Sequence, residues 1–116
     1  MEITKREANA VSVLYLKGRL DLASGAGLKE EIKNLMEKEN NLIHLNLADV
    51  DFINSSGLGV LVSIMKEIRV HKGRLTLSDL ASYVQEIFEI TQLSHIFEIF
   101  TSENEAINSY QSVSAN

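Results

Sequence analysis

Two adjacent hydroxyls, Ser55 and Ser56, lie in the run Val50-Asp51-Phe52-Ile53-Asn54-Ser55-Ser56-Gly57-Leu58-Gly59-Val60. An apolar run that reads as a strand precedes them, and the longest helical pattern of the chain follows. At a helix start the first backbone N–H groups lack partners and the helix dipole is positive. A serine there either caps the helix or offers a place where a phosphate is stabilised. The two roles are compatible. A phosphoryl group on Ser55 would meet the free N–H groups of the helix start. It would also add about −1.5 to −2 charges to an exposed surface. A partner fitted to the neutral surface would then be repelled.

Other chemistries lack parts. Gly57-Leu58-Gly59 is not followed by the third glycine of a dinucleotide fingerprint or by the lysine of a phosphate loop. Ser55 as a hydrolytic nucleophile would need a base and an oxyanion hole. The residues around it, Ile53-Asn54-Ser55-Ser56-Gly57, do not form the nucleophile elbow G-x-S-x-G. His44 falls mid-strand, His71 near a helix end and His95 in a late loop, so none is placed as its partner. The scattered histidines show no metal-ligand spacing. Asp49 and Asp51 alternate on an extended segment and are expected to flank a turn. No catalytic residue, metal or cofactor is therefore expected.

Composition narrows the class further. The chain has 116 residues, a formal charge of −5 and no cysteine, which excludes disulfides and thiolate chemistry. Its length fits one domain able to bury a core without staples. An acidic balance argues against nucleic acid, which is bound through clustered Lys and Arg. No window approaches the roughly 18 consecutive apolar residues of a membrane span. Met1 to Glu7 lacks the apolar stretch of a signal peptide, so a cytoplasmic location is expected.

The elements that must position these residues alternate between strand and helix. Strands are expected over 2–8 and over 11–17, the second ending at Gly18, with a turn at Ala8-Asn9-Ala10. A first helix starts near Ser24 and carries Leu28, Ile32, Leu35 and Met36 on one face. The next strand is Asn41 to Leu47, in which Ile43, Leu45 and Leu47 alternate with His44 and Asn46. A second helix runs from about Ser56 to Lys72 with Leu58, Leu61, Val62, Met65, Ile68 and Arg69 as its stripe, and Gly73 as its stop. Arg74 to Asp79 is a further strand and Ala81 to Thr91 a third helix. Ile96 to Phe100 is a short last strand. A final helix covers 102–110, leaving a frayed tail over 112–116 after a domain of residues 1–111. Such alternation implies an α/β fold with a parallel or mixed sheet and helices packed on it. Sites in such sheets lie beyond the carboxyl ends of strands. Gly18-Arg19-Leu20-Asp21 and Asp51 to Ser56 are two such ends, able to share one surface.

Gly18-Arg19-Leu20-Asp21 resembles the G-E-[LI]-D segment of the STAS domains of bacterial anti-sigma-factor antagonists. The run from Leu45 to Gly59 resembles their L-x-L-x-x-[VL]-x-[FY]-[MI]-D-S-[ST]-G-L-G core. Gly73 to Leu77 and Ile87 to Leu93 are similar to their later strand and helix. The resemblance covers nearly the whole chain. It implies a single STAS-type domain, a mixed sheet of four or five strands with about four helices packed on one side. It also implies partner switching. The unphosphorylated antagonist binds an anti-sigma factor serine kinase, the kinase uses ATP to phosphorylate the first serine of the motif, and a PP2C-type phosphatase reverses the step. Carried over, Ser55 is the phosphoacceptor, and Asp21, Asn54, Ser55, Ser56 and Gly57 form the partner-binding surface. Asn54 stands where the family usually has Asp, and Arg19 where it often has Glu. Asn keeps the size and the local hydrogen-bonding reach but not the charge. The alternative the resemblance leaves open is a non-switching STAS binding module in another regulatory assembly or transporter system.

Overall fold

In a computed structural model the backbone is described for residues 1–114 and side chains through Gln111. Strand β1 (Glu2–Ala8) turns through Asn9 and Ala10, both at positive φ, into β2 (Val11–Leu20). Two left-handed residues between paired Ala8 and Val11 make the tight hairpin turn whose twist suits antiparallel strands. Helix α1 (Leu22–Glu37) leads to β3 (Leu42–Ile53), and α2 (Ser55–Val70) to β4 (Arg74–Ser78). Helix α3 (Ser82–Ile90), a 3-10 turn at Leu93–His95, β5 (Glu98–Phe100) and α4 (Glu103–Ser114) complete the order.

The five strands form one mixed sheet in the order β1-β2-β3-β4-β5. Only β1 and β2 pair antiparallel; β2 to β5 run parallel. Side chains alternate across a strand, so β3 sends Ile43, Leu45 and Leu47 to one face and His44 and Asn46 to the other. On the first face, Leu28 and Ile32 of α1, Leu61 and Ile64 of α2, and Val84 and Phe88 of α3 join Leu14, Leu45 and Leu77 in the main core. Gly25 of α1 meets Val60 of α2 so closely that an added Cβ would lie 2.5 Å from a Val60 methyl.

The second face carries α4, so the helices are not all on one side as expected. Ile107 and Tyr110 pack with Val11 and Val13 in a smaller cluster. Beneath α4 runs a chain of buried hydrogen bonds. His44 Nδ1 lies 2.7 Å from Thr76 Oγ1, and His44 Nε2 lies 2.8 Å from Ser78 Oγ. Tyr110 donates its hydroxyl to the Ile43 carbonyl at 2.6 Å and lies 2.9 Å from Thr76 Oγ1. Ser78 continues to Asp79, and Asn46 bridges Asp79 and Glu103 at the start of α4. Burial pushes the His44 imidazole down to about 4, so it is neutral near pH 7.

Several boundaries differ from those expected. Strand β3 does not stop at Leu47; it continues to Ile53 because β2 offers partners through Leu20, with irregularities between Tyr15 and Lys17 and between Gly18 and Arg19. Asp49 and Asp51 therefore lie on a strand and flank no turn. Helix α1 starts two residues before Ser24. At the end of α2 the left-handed residue is Lys72, at φ 58°, rather than Gly73. Gly73 is needed for another reason, since a Cβ there would lie 2.2 Å from the Asn41 carbonyl oxygen. Arg69 is exposed, and Val60 and Ile64 take the buried stripe of α2 instead. Helix α4 extends past Tyr110 to Ser114, so 112–114 continue the helix; residues 115–116 of the expected tail lie outside the described residues.

Candidate functional site

Strands β2 and β3 end side by side, with Leu20 paired to Ile53. Each is followed within two residues by a helix, so α1 and α2 begin at the same edge of the sheet. The two starts are built alike. Asp21 caps α1: its carboxylate accepts from the Ser24 amide at 3.0 Å, and Ser24 Oγ accepts from the Asp21 amide at 3.0 Å. This reciprocal pair is a capping box with serine in place of the usual Glu or Gln. Asn54 caps α2: its side-chain oxygen accepts from the Gly57 amide at 2.9 Å.

Neither serine is therefore the cap. Ser55 and Ser56 occupy the first two helical positions of α2, both exposed. Among the described residues their hydroxyls have no hydrogen-bond partner. Three residues able to cap a helix, Asn54, Ser55 and Ser56, stand in a row here, and Asn54 takes the role. Gly57 fixes the choice. It is buried, and a Cβ on it would lie 2.1 Å from the Leu20 carbonyl oxygen, so only glycine lets α2 start this close to the end of β2. The Asn54 amide also reaches that carbonyl, at 3.4 Å.

The structure thus gathers the five expected site residues at one edge, in unequal roles. Ser55 and Ser56 present free hydroxyls. Asn54 and Asp21 hold the two helix starts, and Gly57 brings them together without surface of its own. Asp21 is more committed than its sequence position suggests. The Ser24 amide and hydroxyl, with Arg19 alongside, hold its carboxyl below the usual carboxylate range.

Two neighbours were not anticipated as a unit. The Arg19 guanidinium sits 3.9 Å from the centroid of the Phe52 ring, and its Nε lies 3.9 Å from an Asp21 carboxylate oxygen. Leu22, the first residue of α1, is 69% exposed. The Arg19–Phe52 pairing depends on both irregularities between β2 and β3, which periodicity does not reveal. Among the described residues no group of three or more His, Asp or Glu is placed to hold a metal ion. The arrangement leaves the Ser55 hydroxyl free at an exposed helix start, and among the described residues no side chain is hydrogen-bonded to it as a base.

The STAS domain family profile matches residues 2–106. A Listeria monocytogenes protein named anti-sigma-B factor antagonist is 31% identical over 105 residues, covering 90% of this chain and 91% of that protein. A Bacillus subtilis protein of the same name is 33% identical over 95 residues, covering 82% and 85%. The fold is also that of the Bacillus anti-sigma factor antagonist SpoIIAA. Its unphosphorylated form superposes with a TM-score of 0.74 at 21% identity, covering 95% of this chain and 98% of that one. Its phosphorylated form gives 0.72 at 22%, covering 94% and 99%. With nearly the whole chain matched in sequence and in fold, the protein belongs to the STAS domain family.

Proposed function

We propose that this protein is an anti-sigma factor antagonist that changes partners through Ser55. The unmodified face binds a kinase-type anti-sigma factor in the cytoplasm and so frees a sigma factor. The kinase moves the γ-phosphoryl group of ATP to Ser55 Oγ. A P–O bond forms at the serine, ADP leaves, and the hydroxyl proton passes to a base of the kinase, since this chain offers none. The added charge ends the complex, and a PP2C-type phosphatase restores it by hydrolysis.

The observation that carries this reading is the cap. Asn54 satisfies the Gly57 amide, so Ser55 stays exposed with an uncommitted hydroxyl at the start of a long helix. A phosphoryl group there sits at the positive end of α2 and disturbs no bond of the fold. Asn54 performs the local hydrogen bonding that the usual Asp would, so its missing charge leaves the turn intact. The names of the Listeria and Bacillus relatives, and a common fold known in both phosphorylated and unphosphorylated forms, support the same reading.

Intact-mass and peptide mass spectrometry on the protein from its own cells tests it. The expected result is one phosphoryl group on Ser55, removed by phosphatase and absent from Ser55→Ala. A chain that stays unmodified across growth and stress conditions would overturn the switch and leave a constitutive binding module.

A further inference from the structure

The polar groups buried beneath α4 have fewer hydrogens than their spacing demands. A relay runs from the Ile43 carbonyl through Tyr110, Thr76, His44 and Ser78 to the Asp79 carboxylate. Both ends only accept. Tyr110, Thr76 and Ser78 bring one hydroxyl hydrogen each, and the neutral ring of His44 brings one more. A second ring proton would fill the relay, but burial denies it near neutral pH. The relay is therefore one hydrogen short, and the distances fix where the shortage falls. Ser78 Oγ lies 2.6 Å from an Asp79 carboxylate oxygen, the separation of a charge-assisted bond, so Ser78 donates there. His44 Nε2, facing Ser78 at 2.8 Å, must then carry the ring hydrogen. His44 Nδ1 is left bare and accepts from Thr76 across 2.7 Å. Only Tyr110 remains. Its one hydrogen faces the Ile43 carbonyl at 2.6 Å and Thr76 Oγ1 at 2.9 Å, and both need it. The Arg74 carbonyl, at 3.4 Å, is too distant to compete.

We infer that Asp79 sets the direction of this relay and, through it, how firmly Tyr110 fastens α4 to the sheet. With the carboxylate in place the hydrogen bonds run from Tyr110 toward Asp79. His44 is then the Nε2–H tautomer, and Tyr110 divides its hydrogen between two acceptors. With the carboxylate withdrawn, Ser78 donates to Nε2 and the ring hydrogen is carried on Nδ1 instead. Thr76 accepts from Nδ1 and donates to Tyr110, which gives its hydrogen wholly to Ile43. Every member of the relay is then satisfied. Asp79 stands half-buried in the turn between β4 and α3, so a change of charge at that turn is read at α4 on the other face of the sheet.

The test is long-range proton–nitrogen correlation NMR of the His44 ring at neutral pH, with the signal assigned by its loss in His44→Gln. It shows which ring nitrogen bears the hydrogen. Wild type is expected to be Nε2–H. Asp79→Gly removes the carboxylate without strain, because Asp79 sits at φ 60°. Ser78→Ala leaves Asp79 in place and takes away the acceptor facing Nε2. Both variants are expected to be Nδ1–H, read as an exchange of the two ring-nitrogen shifts, and either one decides if the other does not fold. A wild type that is Nδ1–H or protonated on both nitrogens would overturn the inference, as would a folded variant that keeps Nε2–H. The hold on α4 is read separately. Tyr110→Phe should lower the urea midpoint more in Asp79→Gly than in wild type, because Tyr110 there makes an undivided bond to Ile43 and accepts another from Thr76. Equal drops in the two backgrounds would overturn the link between Asp79 and α4.

Discussion

Asn54 carries more than its size suggests. It holds the start of α2 so that Ser55 need not. Asn54→Ala should cost about 1 kcal/mol in urea unfolding, whereas Asn54→Asp should match or slightly exceed wild type, because a carboxylate favours a helix N-terminus. The glycines nearby separate cleanly. Gly57→Ala forces a Cβ onto the Leu20 carbonyl and should destabilise by about 1–3 kcal/mol or more. Gly59→Ala meets nothing within 4 Å and should stabilise by roughly 0.5–1 kcal/mol. Thermal or urea midpoints of the two variants check both signs. At this scale the sequence locates the site but not the division of labour. Asn54, Ser55 and Ser56 can each cap a helix, and only the approach of the Leu20 carbonyl to Gly57 decides among them. Asp21 reads as an interface residue from its place after β2, yet its carboxylate is engaged in the α1 cap. Asp21→Ala is therefore expected to lower the thermal midpoint as well as to weaken docking.

Helix α4 is the element whose attachment the sequence conceals. On β3 and β4, His44, Thr76 and Ser78 alternate with apolar residues and read as a solvent face. They are fully buried, because α4 covers them and their polar groups satisfy one another. Tyr110 closes this chain at the Ile43 carbonyl. Tyr110→Phe keeps the ring and leaves a buried carbonyl and the Thr76 hydroxyl short of a partner, so it should cost about 1–3 kcal/mol. Faster amide hydrogen exchange in α4 than in α2 would locate the loss. By contrast, the main-core helices are legible, since Leu28, Ile32, Leu35 and Met36 of α1 are all buried as their spacing requires. The length of β3 is not legible, because two irregularities against β2 shift which residues face the core.

For the whole molecule, the alternation of strands and helices predicts the mixed sheet, and the five-stranded order follows it. What the pattern leaves out is the second layer, formed by few apolar side chains and many hydrogen bonds. That layer sets an acid limit. His44 titrates near 6.5 when unfolded and is pushed down to about 4 when folded, so the unfolded chain binds the extra proton between those values. The stability is intact above about pH 6.5 and falls as pH drops through about 4, by on the order of 3 kcal/mol from this group. Asp79 opposes the shift and Arg6 adds to it, but burial dominates. A His44→Gln variant cannot ionise and should flatten that part of a urea-midpoint-against-pH curve. An unchanged slope would assign the acid sensitivity to the carboxylates instead.

The free first position of α2 also makes the molecule addressable by the chemist. The 116 residues include no cysteine, so Ser55→Cys would place a single thiol in this chain. A helix N-terminus favours the thiolate, which speeds its reaction with mixed-disulfide reagents. A sulfonate-bearing methanethiosulfonate would then install one negative charge at this position, and a reductant would remove it. Binding measured before, during and after that cycle would isolate the effect of charge at residue 55 without any kinase, phosphatase or ATP in the tube.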